Sequence, residues 1–235
     1  IGRRHPPAGH HACGCGRAGR PSAAGVRVVF HVKHPNPPAF DVSRETRVRL
    51  DAYLALLGRW NARINLVGPS PPETWWARHV QDGLQLLPLL PEGCGPVADL
   101  GSGAGLPGLI LAACVTRPMH LVEADQRKCA FLREAAREMG LGHVTIHAQR
   151  IEAATLPPLA CVTARALAPL TSLLAHAHKL LAVDGLAIFP KGRMAEAELT
   201  EATAHWHMGV ERFTSRTEAD ATILLIRELR PVVTA

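Results

Sequence analysis

The chain has 235 residues, of which 47% are apolar and only 4% aromatic. This length fits one large domain with an extension, and the apolar fraction suffices for a full core of Leu, Val, Ile and Ala. No apolar run approaches the roughly 20 residues that span a bilayer, and the first residues lack the apolar segment of a signal peptide. We therefore expect a cytoplasmic protein, with no membrane partner.

The formal net charge of +6 is unevenly placed, because residues 1–65 contain eleven Lys and Arg but only three Asp and Glu. A basic arm before a near-neutral remainder suggests a polyanionic partner, usually nucleic acid. Residues 1–40 show no sustained period, and we interpret them as disordered. We also interpret residues 1–28 as a mis-annotated extension upstream of a start at Val29. His10, His11, Cys13 and Cys15 lack zinc-finger spacing, and we expect no metal site.

Two helices are predicted next, and together they form a helical subdomain over residues 41–92. The first begins after Ser43, whose hydroxyl is a suitable N-cap, and its apolar pattern is interrupted at Gly58. The second is predicted from about Pro72 to Leu87, with Trp76, Val80 and Leu84 on its apolar face.

Short apolar segments then alternate with helical ones through the predicted core, residues 93–235. We predict strands at residues 97–100, 120–123, 143–147, 160–163, 185–189, 208–216 and 221–229, and helices at 107–114, 127–139, 169–181 and 195–204. The last two strands must pair antiparallel, because their link is too short for a parallel crossover. The pattern predicts an α/β fold with a doubly wound, mostly parallel seven-stranded sheet and a C-terminal antiparallel strand.

A glycine run joins the first strand to the first helix of this core, which is where nucleoside cofactors bind in such sheets. Gly101, Gly103 and Gly105 allow the backbone to approach a ligand and to adopt positive φ. The segment 103–108 also fits the dinucleotide fingerprint G-x-G-x-x-G, so the glycines alone do not decide the cofactor.

Other residues favour S-adenosylmethionine over a dinucleotide. Asp99 is placed to orient the cationic amino-acid end of that cofactor, directly or through water. Pro107 starts the helix and leaves fewer N–H groups for a pyrophosphate. Glu123, at the end of the second strand, can accept hydrogen bonds from both ribose hydroxyls of either cofactor. Ile151 and Glu152 follow the third strand, where we expect the adenine.

The end of the fourth strand is where the chemistry is expected, and it offers Arg165. No Asn/Asp-Pro-Pro-aromatic motif for amino-group methylation follows the strand, and Cys161 lies inside it, where a core thiol is expected. An arginine can hold a phosphate or the O6/N7 edge of guanine. Guanine N7 has a lone pair and no proton to lose, so its methylation needs positioning more than acid–base help.

Several short motifs between about residue 43 and residue 229 resemble the bacterial ribosomal RNA small-subunit methyltransferase G family, also called glucose-inhibited division protein B. These motifs are Trp60-Asn61 with Asn65-Leu66, Arg78-His79 with Asp82, the run from Asp99 to Gly108, Arg127-Lys128, Arg150-Ile151-Glu152, Arg165-Ala166 and Pro190-Lys191-Gly192. The Gly-Leu-Pro-Gly ending of the glycine run and the Arg-His-x-x-Asp pattern make the resemblance more specific than one to methyltransferases in general.

The resemblance implies a class I S-adenosylmethionine-dependent methyltransferase that modifies N7 of one guanine in small-subunit (16S) ribosomal RNA, free or in an assembling 30S particle. It implies cofactor contacts at Gly101, Leu106, Ile151, Glu152 and Arg165. Lys191 and His79 would border the substrate, with Arg165 and Lys191 positioning it. We expect a monomer.

Three alternatives stay open from the residues. One is a methyltransferase of the same fold that acts on another RNA. Another is a nicotinamide-dependent oxidoreductase, because the glycines fit both cofactors. The last is a non-catalytic nucleic-acid-binding protein that uses the basic arm.

Overall fold

The computed structural model describes residues 40–232. Helix α1 is Arg44–Asn61, and the Ser43 hydroxyl accepts a hydrogen bond from the Thr46 N–H, so the predicted N-cap is confirmed. The predicted interruption at Gly58 is wrong, because the helix continues to Asn61. Leu50, Tyr53, Leu56 and Leu57 form its buried face, and their packing outweighs the low helix propensity of one glycine. The proposed start at Val29 lies outside the described residues.

The predicted second helix is divided into three short pieces. These are a 3-10 turn at Pro72–Thr74, a π turn at Trp76–Val80 and α2 at Gln81–Leu84. The π turn widens the helix locally, and Trp75 is buried in place of the predicted Trp76. The turn also contains Arg78 and His79, so the irregular backbone falls where the sequence had indicated function. A further 3-10 turn follows at Leu87–Leu89.

All seven predicted strands are present. They are β1 Val97–Leu100, β2 Met119–Glu123, β3 Val144–Ala148, β4 Leu159–Thr163, β5 Leu181–Lys191, β6 Trp206–Thr214 and β7 Thr222–Pro231. The sheet order is β3-β2-β1-β4-β5-β7-β6. Strand β7 pairs antiparallel with both β5 and β6, whereas the other pairings are parallel. The predicted antiparallel pairing of the last two strands is therefore confirmed.

Four helices connect the strands. They are α3 Gly108–Ala112, α4 Gln126–Glu138, α5 Leu170–Leu180 and α6 Ala195–Thr203. The Asp125 carboxylate caps α4 by accepting from the N–H groups of Arg127 and Lys128. Its hydrogen bond with the Arg127 guanidinium, together with these backbone bonds, lowers the pKa of Asp125 to about 2. α3 is shorter than predicted and begins after Pro107 instead of at it.

The two faces of the sheet are buried under different helices. On one face Leu50 and Tyr53 of α1 share a core with Ile110 of α3 and Phe131 of α4. On the other face Leu170 and Leu174 of α5 and Leu199 of α6 pack on the sheet. Helix α1 thus lies against the side of the sheet that carries the glycine run. Within residues 40–232, the longest helices are too short or too polar to cross a membrane.

Candidate active site at the carboxyl edge of the sheet

The carboxyl ends of β1, β2, β4 and β5 open on the same edge of the sheet, because these strands run parallel. In the sheet, β2 lies on one side of β1 and β4 lies on the other, so the order of the strands reverses at β1. Ligands of doubly wound sheets bind at such a reversal of strand order. The edge therefore gathers the predicted site residues that follow each strand.

The glycine run forms a close-fitting loop after β1. Gly101, Gly103 and Gly105 all have positive φ, at 64°, 55° and 82°. A Cβ added to Gly101 would lie 2.4 Å from Leu167 Cδ1, the flexible end of a side chain, so it is the positive φ that favours glycine at this position. Leu167 reaches the loop after Ala166, which has φ of 51°. The loop thus has the narrow, backbone-lined form that a nucleoside cofactor needs.

Tyr53 supports the glycine loop from below, although sequence patterns marked it only as a core residue of α1. Its hydroxyl donates to the Ala104 carbonyl oxygen at 2.7 Å, and the side chain is fully buried. Burial raises the pKa of Tyr53, so the phenol stays protonated and keeps its donor. The helical subdomain therefore contributes directly to the shape of the loop.

Asp99 lies beneath the loop and is fully buried. One carboxylate oxygen accepts from the Thr163 hydroxyl at 3.1 Å, and the other accepts from the Gly108 N–H at 3.2 Å. Desolvation raises the pKa of Asp99 to about 6, against the opposing effect of these hydrogen bonds. The carboxylate thus connects β1, β4 and the start of α3. The predicted role of Asp99 toward the cofactor stays a prediction. These contacts suit a residue that positions the start of α3 relative to the two strands.

Glu123 reaches back from β2 to the glycine loop. Its carboxylate accepts from the Gly103 N–H and the Asp125 N–H, each at 2.8 Å. Ile151 and Glu152 lie in a 3-10 turn after β3, farther along the same edge. Ile151 packs against the core under α5, whereas Glu152 is exposed. Glu123 therefore lies next to the loop, and Ile151 and Glu152 lie beyond it on the side of β3.

A cavity of about 690 Å³ opens beside the loop after β4, at the same edge. Its lining includes Arg78, His79, Arg165, Lys191 and Arg193, so the structure brings both predicted substrate-side residues to one place. Arg165 Nη1 lies 2.7 Å from Asp82 Oδ2. The Arg-His-x-x-Asp pattern and the end of β4, distant in sequence, thus meet at one wall.

Lys191 is the last residue of β5 and is held within the cavity wall. Its Nζ lies 2.7 Å from Glu198 Oε2 and donates to the Ala168 carbonyl oxygen at 3.1 Å. The same Glu198 oxygen accepts from the Leu170 N–H, the first of α5. Lys191 and Glu198 therefore fasten the loop between β4 and α5. The sequence did not indicate Glu198, because its partners are far away in the chain.

His79 is an unusual group in the cavity wall. Only 9% of the residue is exposed, and neither ring nitrogen has a hydrogen-bond partner among the described residues. Burial lowers the pKa of His79 to about 4, with the positive charge of Arg165 as the next cause. The imidazole is therefore neutral at neutral pH.

Cys161 is fully buried in β4, as expected for a core thiol.

Comparison of the sequence with known families gives a direct match. A sequence model of the GidB family, described as rRNA small subunit methyltransferase G, matches residues 47–223. The chain is 50% identical to the ribosomal RNA small subunit methyltransferase G of Granulibacter bethesdensis over 214 residues, which is 87% of this chain and 100% of that protein. It is 52% identical to the protein of the same name from Gluconobacter oxydans, over 82% of this chain and 98% of the relative.

Solved structures share the fold at low sequence identity. A ribosomal protein L11 methylase from Lactobacillus delbrueckii subsp. bulgaricus superposes with a TM-score of 0.54 at 16% identity, over 67% of this chain and 79% of that one. TYW2 of M. jannaschii, in complex with AdoMet, superposes with a TM-score of 0.53 at 12% identity, over 73% and 80%. The predicted class I methyltransferase fold is therefore confirmed.

The family match also decides among the alternatives that the glycines had left open. Neither a nicotinamide-dependent oxidoreductase nor a non-catalytic nucleic-acid-binding protein agrees with relatives that are about half identical over nearly their whole length. The resemblance found in the short motifs is confirmed over most of the chain. The chain belongs to the GidB family, the small-subunit ribosomal RNA methyltransferases G.

Proposed function

We propose that this protein transfers a methyl group from S-adenosylmethionine to N7 of one guanine in small-subunit (16S) ribosomal RNA. The observation that carries the proposal is the meeting, at one edge of the sheet, of the glycine loop and the arginine-lined cavity. The family match supports the reaction type and the class of RNA.

The residues around the glycine loop fit the cofactor. Gly101, Gly103 and Gly105 keep the loop free of side chains, and Leu106 follows them. Glu123, beside the Gly103 N–H, would accept hydrogen bonds from the ribose hydroxyls. Ile151 and Glu152 would border the adenine. When bound, S-adenosylmethionine supplies a methyl group on a positively charged sulfur. Asp99 acts beneath the loop, where it fixes the start of α3.

The cavity residues suit a guanine nucleotide. Arg165 can donate to guanine O6 or to a phosphate, and Arg78 and Arg193 add positive charge at the same opening. Lys191 keeps the loop after β4 in place. The neutral ring of His79 can donate or accept one hydrogen bond at the base edge. N7 attacks with its own lone pair, so the task of these groups is to orient the base.

The remaining features of the proposal follow from the substrate. An enzyme that modifies ribosomal RNA acts in the cytoplasm, on free RNA or on an assembling particle, and we propose that it does so as a monomer.

We also propose that the chain is divided into a helical subdomain, residues 41–92, and a cofactor-binding core, residues 93–235. The shared core of α1, α3 and α4 indicates that the two parts fold together.

The experiment that tests the proposal is methyl transfer in solution. Purified protein, labelled S-adenosylmethionine and small ribosomal subunits from cells that lack the gene are incubated, and the nucleosides are then analysed by mass spectrometry. We expect one N7-methylguanosine per small-subunit RNA and none in large subunits. Label in another base, or in large-subunit RNA alone, would contradict the proposal. Parallel reactions with protein-free RNA show which form is the substrate.

A further inference from the structure

A buried group of polar side chains joins separate stretches of the chain behind the cavity. We call Asp82, Gln85, Arg165, Ser215 and Thr217 the Asp82 cluster. Asp82 accepts from Arg165 Nη1 at 2.7 Å, from Gln85 Nε2 at 2.8 Å and from the Thr217 hydroxyl at 2.8 Å. Only 15% of its side chain is exposed. One carboxylate thus connects α2, the loop after β4 and the segment between β6 and β7.

Gln85 extends this connection to the backbone of the segment 215–218. It is 4% exposed, and its carbonyl oxygen accepts from the Arg216 N–H at 2.9 Å. Its amide group also donates to the hydroxyls of Ser215 and Thr217, at 3.3 Å and 3.2 Å. The oxygen and the nitrogen of the Gln85 amide therefore both hold this segment against α2.

The segments that the Asp82 cluster connects line the same cavity. Arg165, Ser215, Thr217 and Asp82 all contribute to its wall. Because Asp82 satisfies Arg165 on one oxygen and the other partners on the second, a shift of any one segment breaks bonds to the rest. The cluster therefore holds Arg165 and the segment 215–218 together in the wall of the cavity.

We propose that Asp82 and Gln85 are positioning residues for methyl transfer, which fix the Arg165 guanidinium and the segment 215–218 around the target nucleotide. The inference rests on the proposed function. It assigns no contact with the substrate to Asp82 or Gln85. Their effect is transmitted through Arg165 and through the wall at Thr217, so it should be larger on methyl transfer than on cofactor binding at the glycine loop.

The first test is kinetic and uses Asp82→Asn in the full chain. The amide keeps an oxygen for Thr217 or Gln85 but loses the charge that holds Arg165. We expect kcat on small ribosomal subunits, counted per S-adenosylmethionine-binding site, to fall about 100-fold, as for a catalytic group displaced by about 1 Å. The Kd for S-adenosylmethionine should rise by much less than this. Unaltered kcat, or a matching loss of cofactor binding, overturns the proposal.

A second, milder variant covers the case in which Asp82→Asn does not fold. Thr217→Val keeps the side-chain shape and removes the hydroxyl that donates to Asp82 and accepts from Gln85. We expect about a tenfold loss of kcat/KM from the loss of these hydrogen bonds. Glu138→Gln is the matched control, because it breaks an ion pair with Arg59 on the α4 side of the molecule. The control should keep full activity, and wild-type kinetics in Thr217→Val would contradict the proposal.

Hydrogen exchange separates failure of this inference from failure of the proposed function. In Gln85→Met the Arg216 N–H loses its acceptor, so we expect faster exchange in residues 215–218 and unchanged exchange in the glycine loop. This readout requires no RNA. If wild-type protein fails to methylate small subunits, the proposed function falls, whereas unchanged exchange in 215–218 refutes the Asp82 cluster by itself.

Discussion

Gly101 and Gly140 have nearly the same backbone conformation but very different surroundings. Their φ values are 64° and 67°, yet a Cβ at Gly101 would meet Leu167 Cδ1 at 2.4 Å, whereas a Cβ at Gly140 would meet nothing within 4 Å. An aspartate held in the left-handed conformation at either position would lower the free energy of unfolding by about 1 kcal/mol. Only at Gly101 does it also fill the proposed cofactor cleft.

We therefore predict that Gly101→Asp abolishes both S-adenosylmethionine binding and methyl transfer, while the protein stays folded. Gly140→Asp, as the matched control, should lose a similar amount of stability and keep cofactor binding. Calorimetric titration with S-adenosylmethionine and thermal unfolding of both variants make the measurement. Full activity in Gly101→Asp would overturn the assignment of the loop.

His79 gives a prediction about pH. Its pKa falls from an ordinary 6.5 to about 4 in the fold, so the unfolded chain takes up a proton at pH values where the folded protein does not. The contribution of His79 to stability is therefore complete above about pH 6.5 and is lost as the pH falls toward 4. The raised pKa of Asp99 has the opposite effect, because its contribution to stability falls as the pH rises from 3.8 to about 6. The contribution of His79 must therefore be obtained from the difference between the wild-type protein and a variant without the histidine.

The variant His79→Leu lacks the pH-dependent contribution of the imidazole to stability. It also leaves no buried ring nitrogen without a hydrogen-bond partner at this position. We expect the variant to equal or exceed wild-type stability at low pH, with the advantage shrinking as the pH rises through 6.5. Methyl transfer should fall at all pH values, because the ring lines the cavity proposed for the target base. Urea unfolding across this range checks the first part. A constant stability difference between the two proteins would show that His79 is not the titrating group.

At the scale of elements, sequence periodicity predicted the seven strands and the antiparallel pairing of the last two, because the strands are apolar segments bounded by turns or by helices. It failed between residues 72 and 87, where the π turn Trp76–Val80 replaces a continuous helix. A π turn departs from the regular helical repeat, and hydrophobic periodicity does not encode that departure. The site residues found by strand position, such as Glu123 and Arg165, gather as predicted. Gln85, Ser215 and Thr217 could not be predicted, since their partners are over a hundred residues away.

The contact between α1 and the glycine loop gives a prediction for Tyr53→Phe. The Ala104 carbonyl oxygen loses its donor while buried, so we expect a loss of about 1–3 kcal/mol in the free energy of unfolding. A looser loop should also weaken S-adenosylmethionine binding. Thr46→Val is the control, because it removes a longer hydrogen bond from α1 to the Ala113 carbonyl oxygen. Equal effects of the two variants on cofactor affinity would contradict a role for Tyr53 in the loop.

At the scale of the whole molecule, α1 and α2 act as one wall of the site. Tyr53 reaches the glycine loop from α1, and Asp82 reaches the end of β4 from α2. The cofactor loop and the substrate cavity are thus both completed by residues that precede the sheet. Three of the motifs that marked the family lie at these junctions: the glycine run, the Arg-His-x-x-Asp pattern and Arg165-Ala166.

The most direct test of the central claim maps the modified base in cells. Small-subunit ribosomal RNA from a strain that lacks the gene is compared with RNA from the same strain carrying wild-type protein or Gly101→Asp. The account predicts one N7-methylguanosine, at one position, that appears with the wild-type protein and is absent with the variant. A methyl group on another atom or in another RNA, or restoration by the variant, would contradict it.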